Sequence, residues 1–212
     1  MTRTRLQRRP SDDRAPRDEA GDLRSELARL AAELEAARAH AARLEALAYE
    51  DPLTGVCNRR GFGRDLARAL AYRARYGTPV AVILIDLDGF KRVNDTYGHG
   101  TGDRALAHVA SLLRAHVRAS DTIGRLGGDE FGLVVWQIEP AAAAAKAASL
   151  EAIVAATPLP HGDGVLPLAI SAGVSQIEPD DTPESILARA DAAMYARKHG
   201  RLLPSPGWER DA

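Results

Sequence analysis

The stretch that most constrains the fold is a pair of adjacent glycines between two extended runs, followed at once by two acids. It reads Arg125-Leu126-Gly127-Gly128-Asp129-Glu130-Phe131. Glycine takes positive φ without a Cβ clash, so the pattern predicts a β-hairpin with its tight turn at Gly127 and Gly128. A backbone without side chains lets a phosphate and its metal ion come close, and carboxylates such as Asp129 and Glu130 are the oxygen ligands that Mg²⁺ prefers. A hairpin turn that binds nothing is the alternative.

The composition favours one soluble globular domain with an extension. The 212 residues, of which 45% are hydrophobic and 27% charged, suffice for one full-sized core. The net charge of -1 gives no reason to expect nucleic-acid binding. The single cysteine, Cys57, excludes an internal disulfide and favours a reducing compartment. No segment approaches the roughly 18 apolar residues of a membrane span, and none resembles a signal peptide. We therefore expect a cytoplasmic protein without membrane contact.

A heptad pattern runs from residue 19 to residue 50. Its apolar positions alternate in spacings of four and three residues: Leu23, Leu27, Leu30, Leu34, Ala37, Ala41, Leu44 and Ala48. This seam favours a parallel coiled-coil dimer, and a single amphipathic helix packed on its own domain is the alternative. The alanines bury little surface, so the later half of the coil is expected to be weak and able to change register. Residues 1–18, which contain Pro10 and Pro16, are expected to form a disordered tail.

A buried strand is predicted from Pro79 to Asp86, and it ends in two acids. Asp86 is the last residue of the predicted strand, and Asp88 lies two residues further along, beyond the strand end. We expect Asp86 to face a site and Asp88 to be structural. This Asp-x-Asp also resembles the nucleophile motif of haloacid-dehalogenase-type phosphatases. Phe90 stands where those enzymes have Thr or Val, and the chain has the Gly-Gly-Asp-Glu hairpin in place of their later lysine and acid pair, which weighs against that class.

Several segments together resemble the GGDEF family, the diguanylate cyclases, from about Tyr49 to Arg201. They are Gly-Gly-Asp-Glu-Phe at 127–131, an entry motif Asp-Pro-Leu-Thr-Gly-Val-Cys-Asn-Arg-Arg at 51–60, Asp-Leu-Asp-Gly-Phe-Lys-Arg-Val-Asn-Asp at 86–95 with Tyr-Gly-His and Gly-Asp after it, and Arg-Ala-Ser-Asp at 118–121. In the entry motif, Cys57 stands where proline is usual. The resemblance implies a catalytic domain at 51–203 with a tail at 204–212, and a hinge at the entry motif.

The order of predicted elements fits an α/β (α+β) domain with one mostly antiparallel sheet. It runs helix, strand, helix, helix, strand, hairpin strand, helix, strand, helix. The long helix after the glycine-rich turn is expected at 103–119, and one strand is expected at 164–177. The resemblance narrows this fold class to the palm-like fold of nucleotidyl cyclases, with helices flanking the central sheet and the coiled-coil helix in front.

On that resemblance, acids at the strand ends hold a metal against nucleotide phosphates. The metal is Mg²⁺, with Mn²⁺ as an alternative, and its implied ligands are Asp86, the backbone carbonyl of Leu87, Asp129 and Glu130. Glu130 either completes a second metal site or helps to deprotonate the attacking 3′-hydroxyl. Lys91 and Lys198 neutralise phosphate charge. The backbone at Gly127 and Gly128 lets the phosphates approach.

The resemblance also implies two places that recognise guanine. Asn94 and Asp103 hold the guanine edge of the substrate, because a carboxylate accepts from the ring N–H and amino group that adenine cannot supply in that arrangement. Helix caps are the alternative role of these two residues. Arg118 and Asp121 match the family's inhibitory product site, where an arginine can fork onto guanine O6 and N7. An arginine and aspartate that only cap a helix end are the alternative there.

The end of the chain departs from the family pattern. The family usually has Tyr-x-Ala-Lys-x-x-Gly-Arg-Asn, in which the lysine and arginine reach the terminal phosphates. This sequence has Tyr195-Ala196-Arg197-Lys198-His199-Gly200-Arg201-Leu202, which is one residue shorter before the glycine and lacks the asparagine. Lys198 keeps its spacing from Tyr195, whereas Arg201 does not. Any consequence is expected in substrate affinity.

The implied function is the condensation of two GTP molecules into cyclic di-GMP with release of two pyrophosphates. Each protomer presents one GTP, so a homodimer formed through the coiled coil is required. The main alternative is a catalytically silent module that binds cyclic di-GMP or GTP and signals through its coil. A purely structural adaptor is a further alternative, and it would give the acidic residues no function. No sensory domain is recognisable, so an upstream partner protein is one source of the input signal.

Overall fold

The computed structural model describes residues 16–200, which separate into two units, one ending at Glu45 and the other beginning at Ala46. The expected tail at 204–212 and Arg201 lie outside the described residues. The expected N-terminal tail extends too far, because residues 16–18 are already helical. No helix within 16–200 is both long enough and apolar enough to cross a membrane.

The first helix, α1 (Pro16–Tyr49), contains the heptad seam. Leucines of the seam expose about half or more of their surface: Leu23 62%, Leu27 58%, Leu30 48%, Leu34 51% and Leu44 52%. The rest of the surface is rich in charge, and Arg29 pairs with Glu26 and Glu33 one turn away on either side. An apolar stripe left open on a polar helix is the surface that a coiled-coil partner would cover.

Within its described residues, 46–200, the second unit contains five helices and six strands after α1. In chain order they are α2 (Arg59–Tyr76), β1 (Val80–Leu87), α3 (Phe90–Tyr97), α4 (His99–Ala115), β2 (Thr122–Gly127), β3 (Glu130–Trp136), α5 (Pro140–Ala156), β4 (Leu159–His161), β5 (Gly164–Leu166), β6 (Ile170–Gln176) and α6 (Pro183–Gly200). The main sheet has the order β2-β3-β1-β6, and every pair in it is antiparallel. This is the predicted α/β class with an antiparallel central sheet flanked by helices.

Helices cover both faces of the sheet, and the alternation of side chains along β1 decides which core each residue enters. Ile83 and Ile85 lie in the cluster formed with α4 and α5. Val82 and Leu84 lie in the cluster formed with α2 and α6. Alternation continues to Asp86, so its side chain lies on the α2 and α6 side of the sheet.

Close backbone contact fixes α6 against β6. A Cβ built on Gly173 would lie 2.2 Å from the backbone nitrogen of Met194 and 2.3 Å from the carbonyl oxygen of Ala190. A residue with any side chain at this position would therefore push α6 away from the sheet. Met194 is itself buried, with 7% of its surface exposed. Glycine at this strand position thus lets the helix approach closely enough to carry its last turn to the end of β1.

Two predicted elements differ from the structure. The helix expected at 103–119 begins at His99 and ends at Ala115, because Gly98 alone, with φ 80°, connects α3 to α4. The single strand expected at 164–177 is divided in two. Its first part, β5, pairs with β4 in a separate hairpin, and Pro167, which has no N–H for a ladder bond, stands between this hairpin and β6.

Candidate active site

The hairpin turn that carries the acids lies one residue later than the glycine pair predicts. Gly127 faces Glu130 across the ladder, so the turn residues are Gly128 and Asp129. Gly128 has positive φ, at 33°. The register shifts between Arg125 and Gly127, and this bulge takes up one residue of β2. Asp129 therefore lies in the turn itself rather than at the start of β3.

An arginine holds the turn to the entry motif. The Arg125 guanidinium donates to the Gly128 carbonyl through Nε at 3.0 Å and Nη2 at 2.8 Å, and Nη1 lies 3.3 Å from Oδ2 of Asp51. Asp51 also accepts from the backbone nitrogen and the hydroxyl of Thr54, at 2.9 and 2.7 Å. Burial opposes ionisation of Asp51, but the Thr54 hydrogen bonds and the Arg125 charge outweigh it and lower the pKa of Asp51. The entry motif thus positions the turn of the hairpin.

Strand pairing brings the predicted metal ligands to one place. Asp86 is the direct cross-strand partner of Glu130, and the backbone N–H of Leu87 donates to the carbonyl of Asp129 at 3.1 Å. Direct partners in an antiparallel pair project to the same face of the sheet. Glu130 is exposed and Asp129 is half-buried, whereas the side chain of Asp86 is 15% exposed. Asp88 accepts a hydrogen bond from the Ser171 hydroxyl at 2.8 Å, which supports its predicted structural role.

The ammonium of Lys198 reaches these acids from the end of α6. Its Nζ donates to Oδ1 of Asp86. Burial works against the charged ammonium, but the hydrogen bond to Asp86 and the charges of Asp86, Asp88 and Asp129 outweigh it and raise the pKa of Lys198. Three carboxylates therefore act on a single cation at the end of β1. The structure thus places Lys198, which is predicted to bind phosphate, beside Asp86.

The same acids fit a divalent ion. Within residues 16–200, no group of three or more histidines, cysteines, aspartates or glutamates is close enough to hold a metal by itself. Mg²⁺ commonly binds through one or two carboxylates and takes its other oxygens from water and substrate phosphates. Asp86 and Asp129 supply hard oxygen donors of that kind, beside a turn at Gly128 that has no side chain. The residues present thus suit an ion that arrives with a nucleotide.

The two predicted guanine-binding residues lie on successive helices. Asn94 belongs to α3 and Asp103 to α4, so neither is a helix cap. A Cβ on Gly102 would lie 1.9 Å from Oδ1 of Asn94, so Gly102 is what lets the Asn94 amide lie against the first turn of α4. Asp103 follows directly and is exposed. The structure thereby places an amide and a carboxylate, which together offer both donors and acceptors, at neighbouring positions.

Of the two further predicted phosphate contacts, Lys91 and Arg201, only Lys91 lies within the described residues. Lys91 lies in the first turn of α3 with its side chain exposed. The residue before this helix is Gly89, whose φ is 68°. The position of Arg201, the residue displaced by the shortened segment, falls outside the described residues.

The Arg118 and Asp121 pair forms a turn beside a large cavity. Asp121 accepts from the backbone N–H of Arg118 at 3.1 Å and from that of Trp136 at 3.2 Å. This turn lies beyond α4, which ends at Ala115, so Asp121 does not cap that helix, and the Arg118 side chain is exposed. The adjoining cavity measures about 840 Å³ and is lined in addition by Arg68, Arg114, Trp136 and residues of the entry motif. A concave surface thus lies beside this turn.

Sequence reasoning missed four residues, in two pairs, that organise the site. Arg125 lies two residues before the glycine pair and was not predicted to belong to the site. A charged residue on a strand beside a predicted ligand-binding turn is a signal that could have identified it. Its partner Asp51 is distant in sequence, so the pair itself was not predictable. Glu151 and Arg197 form a second such pair, with Arg197 Nη2 2.7 Å from Glu151 Oε2. Both sequence positions looked like ordinary helix residues.

The family comparison identifies residues 48–201 as a "Diguanylate cyclase, GGDEF domain". A curated relative, the bifunctional diguanylate cyclase/cyclic di-GMP phosphodiesterase MucR of Pseudomonas aeruginosa, is 43% identical over 159 residues, which are 73% of this chain and 23% of the relative. Two other curated relatives are covered over 23% and 34% of their length. The chain thus spans about a quarter to a third of the curated relatives it matches.

Two solved structures extend the similarity to the N-terminal helix. The coiled coil and GGDEF domain of DgcB from Caulobacter crescentus, in complex with c-di-GMP, matches with a TM-score of 0.76 at 31% identity, over 84% of this chain and 95% of that one. Diguanylate cyclase SiaD of Pseudomonas aeruginosa, in complex with its activator SiaC, matches with a TM-score of 0.69 at 29% identity, over 87% of this chain and 75% of that one.

Proposed function

The chain belongs to the GGDEF family of diguanylate cyclases, and on that premise we propose that it condenses two GTP molecules into cyclic di-GMP with release of two pyrophosphates. The proposed enzyme depends on Mg²⁺, works as a homodimer and is inhibited by its product. One observation carries the proposal: the carboxylates of Asp86 and Asp129 and the ammonium of Lys198 meet at the end of β1. That combination suits a metal-bound polyphosphate.

The chemistry follows from the charges of these groups. In each half-reaction the 3′-hydroxyl oxygen of one GTP forms a bond to the α-phosphorus of the other, the bond from that phosphorus to the bridging oxygen breaks, and pyrophosphate leaves. Glu130 is exposed next to Asp129 and is the proposed acceptor of the hydroxyl proton, while Lys198 and Lys91 balance charge on the leaving pyrophosphate. Bound Mg²⁺ supplies further charge stabilisation on the phosphoryl oxygens.

Guanine selectivity is assigned to Asn94 and Asp103. The Asp103 carboxylate accepts from the ring N–H and the amino group of guanine, and the Asn94 amide supplies a neighbouring donor and acceptor. Adenine would leave the carboxylate without these donors, which is costly where water is displaced. The contact between Gly102 and Asn94 supports this assignment because it fixes the amide beside Asp103.

The test is a direct assay with purified protein, GTP and Mg²⁺, in which pyrophosphate and nucleotide products are followed by chromatography. We expect cyclic di-GMP from the wild type and a loss of roughly a hundredfold or more in Asp129→Ala, since a metal ligand is removed. Asp163→Ala is the matched control, because Asp163 is an exposed acid at the tip of the β4–β5 hairpin. Equal activity in Asp129→Ala and the wild type would contradict the site assignment.

The receptor function is the second candidate, and the cavity beside Arg118 and Asp121 is compatible with it. A volume of about 840 Å³ with several arginines is suitable for a nucleotide of this size and charge. Binding of cyclic di-GMP there is common to both candidates, because product inhibition uses the same site. A dimeric protein that binds cyclic di-GMP, loses that binding in Arg118→Ala and forms no product from GTP would establish the receptor in place of the cyclase.

A further inference from the structure

The last turn of α6 receives little apolar packing, although it carries Lys198. Up to Met194 the helix is pressed against β6 at Gly173. Beyond Met194, the side chain of Tyr195 is 62% exposed, and Ala196 and His199 are also exposed. The Tyr195 and His199 rings stack on each other, with centroids 3.9 Å apart. Apolar burial therefore does not by itself fix where Lys198 points.

A buried carboxylate on α5 holds this turn instead. The side chain of Glu151 is 3% exposed, and its Oε1 and Oε2 accept from Nε and Nη2 of Arg197 at 2.8 and 2.7 Å. The backbone N–H of Ala172 on β6 also donates to Oε1, at 3.0 Å. A buried carboxylate needs such partners, so Glu151 fixes the Arg197 guanidinium relative to both α5 and β6. The hydrogen bond to Glu151 correspondingly raises the pKa of Arg197.

Arg197 and Lys198 are adjacent in the helix and reach two fixed carboxylates. Arg197 forks onto Glu151, while Lys198 donates to Asp86 at the end of β1. In the family pattern given above, alanine usually stands at the position of Arg197, and the segment after Lys198 is one residue longer. This chain thus combines an extra anchor before the lysine with a shorter segment after it.

We propose that Glu151, acting through Arg197, is a positioning residue that holds Lys198 at Asp86 and so sets the affinity of the site for the phosphates of GTP. The inference rests on the proposed function for its substrate, but the contact it explains exists in the protein without substrate. Arg197→Ala would leave the Glu151 carboxylate buried with fewer partners, and the turn that carries Lys198 would lose its anchor.

The chain offers a matched control on the same helix. Arg189 forks onto Asp181 with Nη1 and Nη2 at 2.5 and 2.6 Å, and its side chain is 43% exposed against a partner that is 6% exposed. The side chains of Arg197 and Glu151 are 43% and 3% exposed. The two pairs are therefore alike in burial, although Arg189 also donates to Ser175 Oγ at 3.1 Å and to the Gln176 carbonyl at 2.9 Å, and it lies more than two turns before Lys198. A role that only stabilises α6 predicts similar effects from Arg197→Ala and Arg189→Ala.

The first measurement uses the lysines, of which the sequence has only three: Lys91, Lys146 and Lys198. Rates of amine acylation at each are followed by mass spectrometry in the full-length protein without nucleotide. We expect Lys198 to react several-fold faster in Arg197→Ala than in the wild type, with Lys146 as internal reference, and to be unchanged in Arg189→Ala. Glu151→Gln, which keeps an acceptor for the Ala172 N–H, provides a milder second variant if Arg197→Ala folds poorly.

The second measurement is steady-state turnover of GTP in the same variants. In Arg197→Ala, loss of one aligned charged contact to the phosphates corresponds to a rise in KM of roughly tenfold, with a smaller change in kcat. In Arg197→Lys, the rise in KM is expected to be smaller than in Arg197→Ala. Equal acylation of Lys198 in Arg197→Ala and Arg189→Ala would overturn the positioning role. A wild type that forms no cyclic di-GMP contradicts the proposed function instead, and the acylation result still decides the positioning role.

Discussion

At the scale of single residues, the site depends on where a side chain is missing as much as on where one is present. Gly102 has no Cβ, and this absence leaves room for the Asn94 amide. Gly100, two residues earlier in the same helix, has nothing within 4 Å of an added Cβ. Neither residue has positive φ. The two glycines therefore differ in their surroundings and not in backbone conformation.

This difference gives a prediction for Gly102→Ala. The new methyl group would displace the Asn94 side chain, so we expect KM for GTP to rise roughly tenfold through loss of one guanine contact. Gly100→Ala is the control, and it should leave KM unchanged, because an added methyl group there meets no neighbouring atom within 4 Å. Steady-state kinetics and thermal unfolding of both variants give the answer. Equal KM values would show that Asn94 does not read the base.

At the scale of elements, Asp51 and Arg125 join the entry motif to the β2–β3 hairpin, whose turn contains Asp129. We expect Arg125→Ala to lower kcat by roughly tenfold or more, because the Gly128 carbonyl loses both of its guanidinium donors and Asp129 is next in the turn. Arg125→Lys keeps the charge but not the fork, so it should recover only part of the rate. Unchanged kcat in a folded Arg125→Ala protein would mean that the turn keeps its geometry without this arginine.

The same pair also predicts a pH dependence of stability. The folded pKa of Asp51 is below its ordinary value, so its stabilising contribution is complete above that ordinary value and is lost as the pH falls through the folded pKa. Asp51→Asn should therefore lower the free energy of unfolding at pH 7 by about 1 kcal/mol. The difference from the wild type should shrink in acid, as measured by denaturant titrations between neutral pH and pH ~3. A constant difference would contradict the ion pair.

The elements also show how far sequence reasoning reaches. The hairpin, the buried strand with Asp86 at its end and the antiparallel α/β class follow from local patterns, and the structure confirms the class. The start of α4 was missed because glycines at 98, 100 and 102 signal a turn, whereas two of them lie inside the helix. The Glu151 and Arg197 pair could not be found because its residues lie 46 apart in sequence. Such contacts depend on how α5 and α6 pack on β6.

At the scale of the whole molecule, the proposed reaction needs two copies of the chain. Each protomer contributes one set of the proposed site residues, which include Asp86, Asp129 and Lys198. Formation of the product requires the two bound GTP molecules to face each other. The open leucine stripe of α1 gives a physical means of bringing a second copy close, through a parallel coiled coil.

The dimer prediction is tested by charging the seam. Leu27→Lys with Leu34→Lys places two ammonium groups at core positions, and we expect the protein to become monomeric and its specific activity at micromolar concentration to fall roughly tenfold or more. Ala32→Lys with Ala39→Lys is the matched control, because it adds the same charge at exposed positions on the opposite side of α1. Analytical ultracentrifugation gives the mass of each variant.

The concentration dependence of turnover separates a need for dimerisation from damage to the site. If the seam variant only fails to associate, its specific activity should rise with protein concentration, because mass action restores the encounter of two loaded protomers. If the variant is damaged in its site, specific activity should stay low at every concentration. A monomeric seam variant with the full activity of the wild type would contradict the requirement for two facing sites, and with it the role assigned to α1.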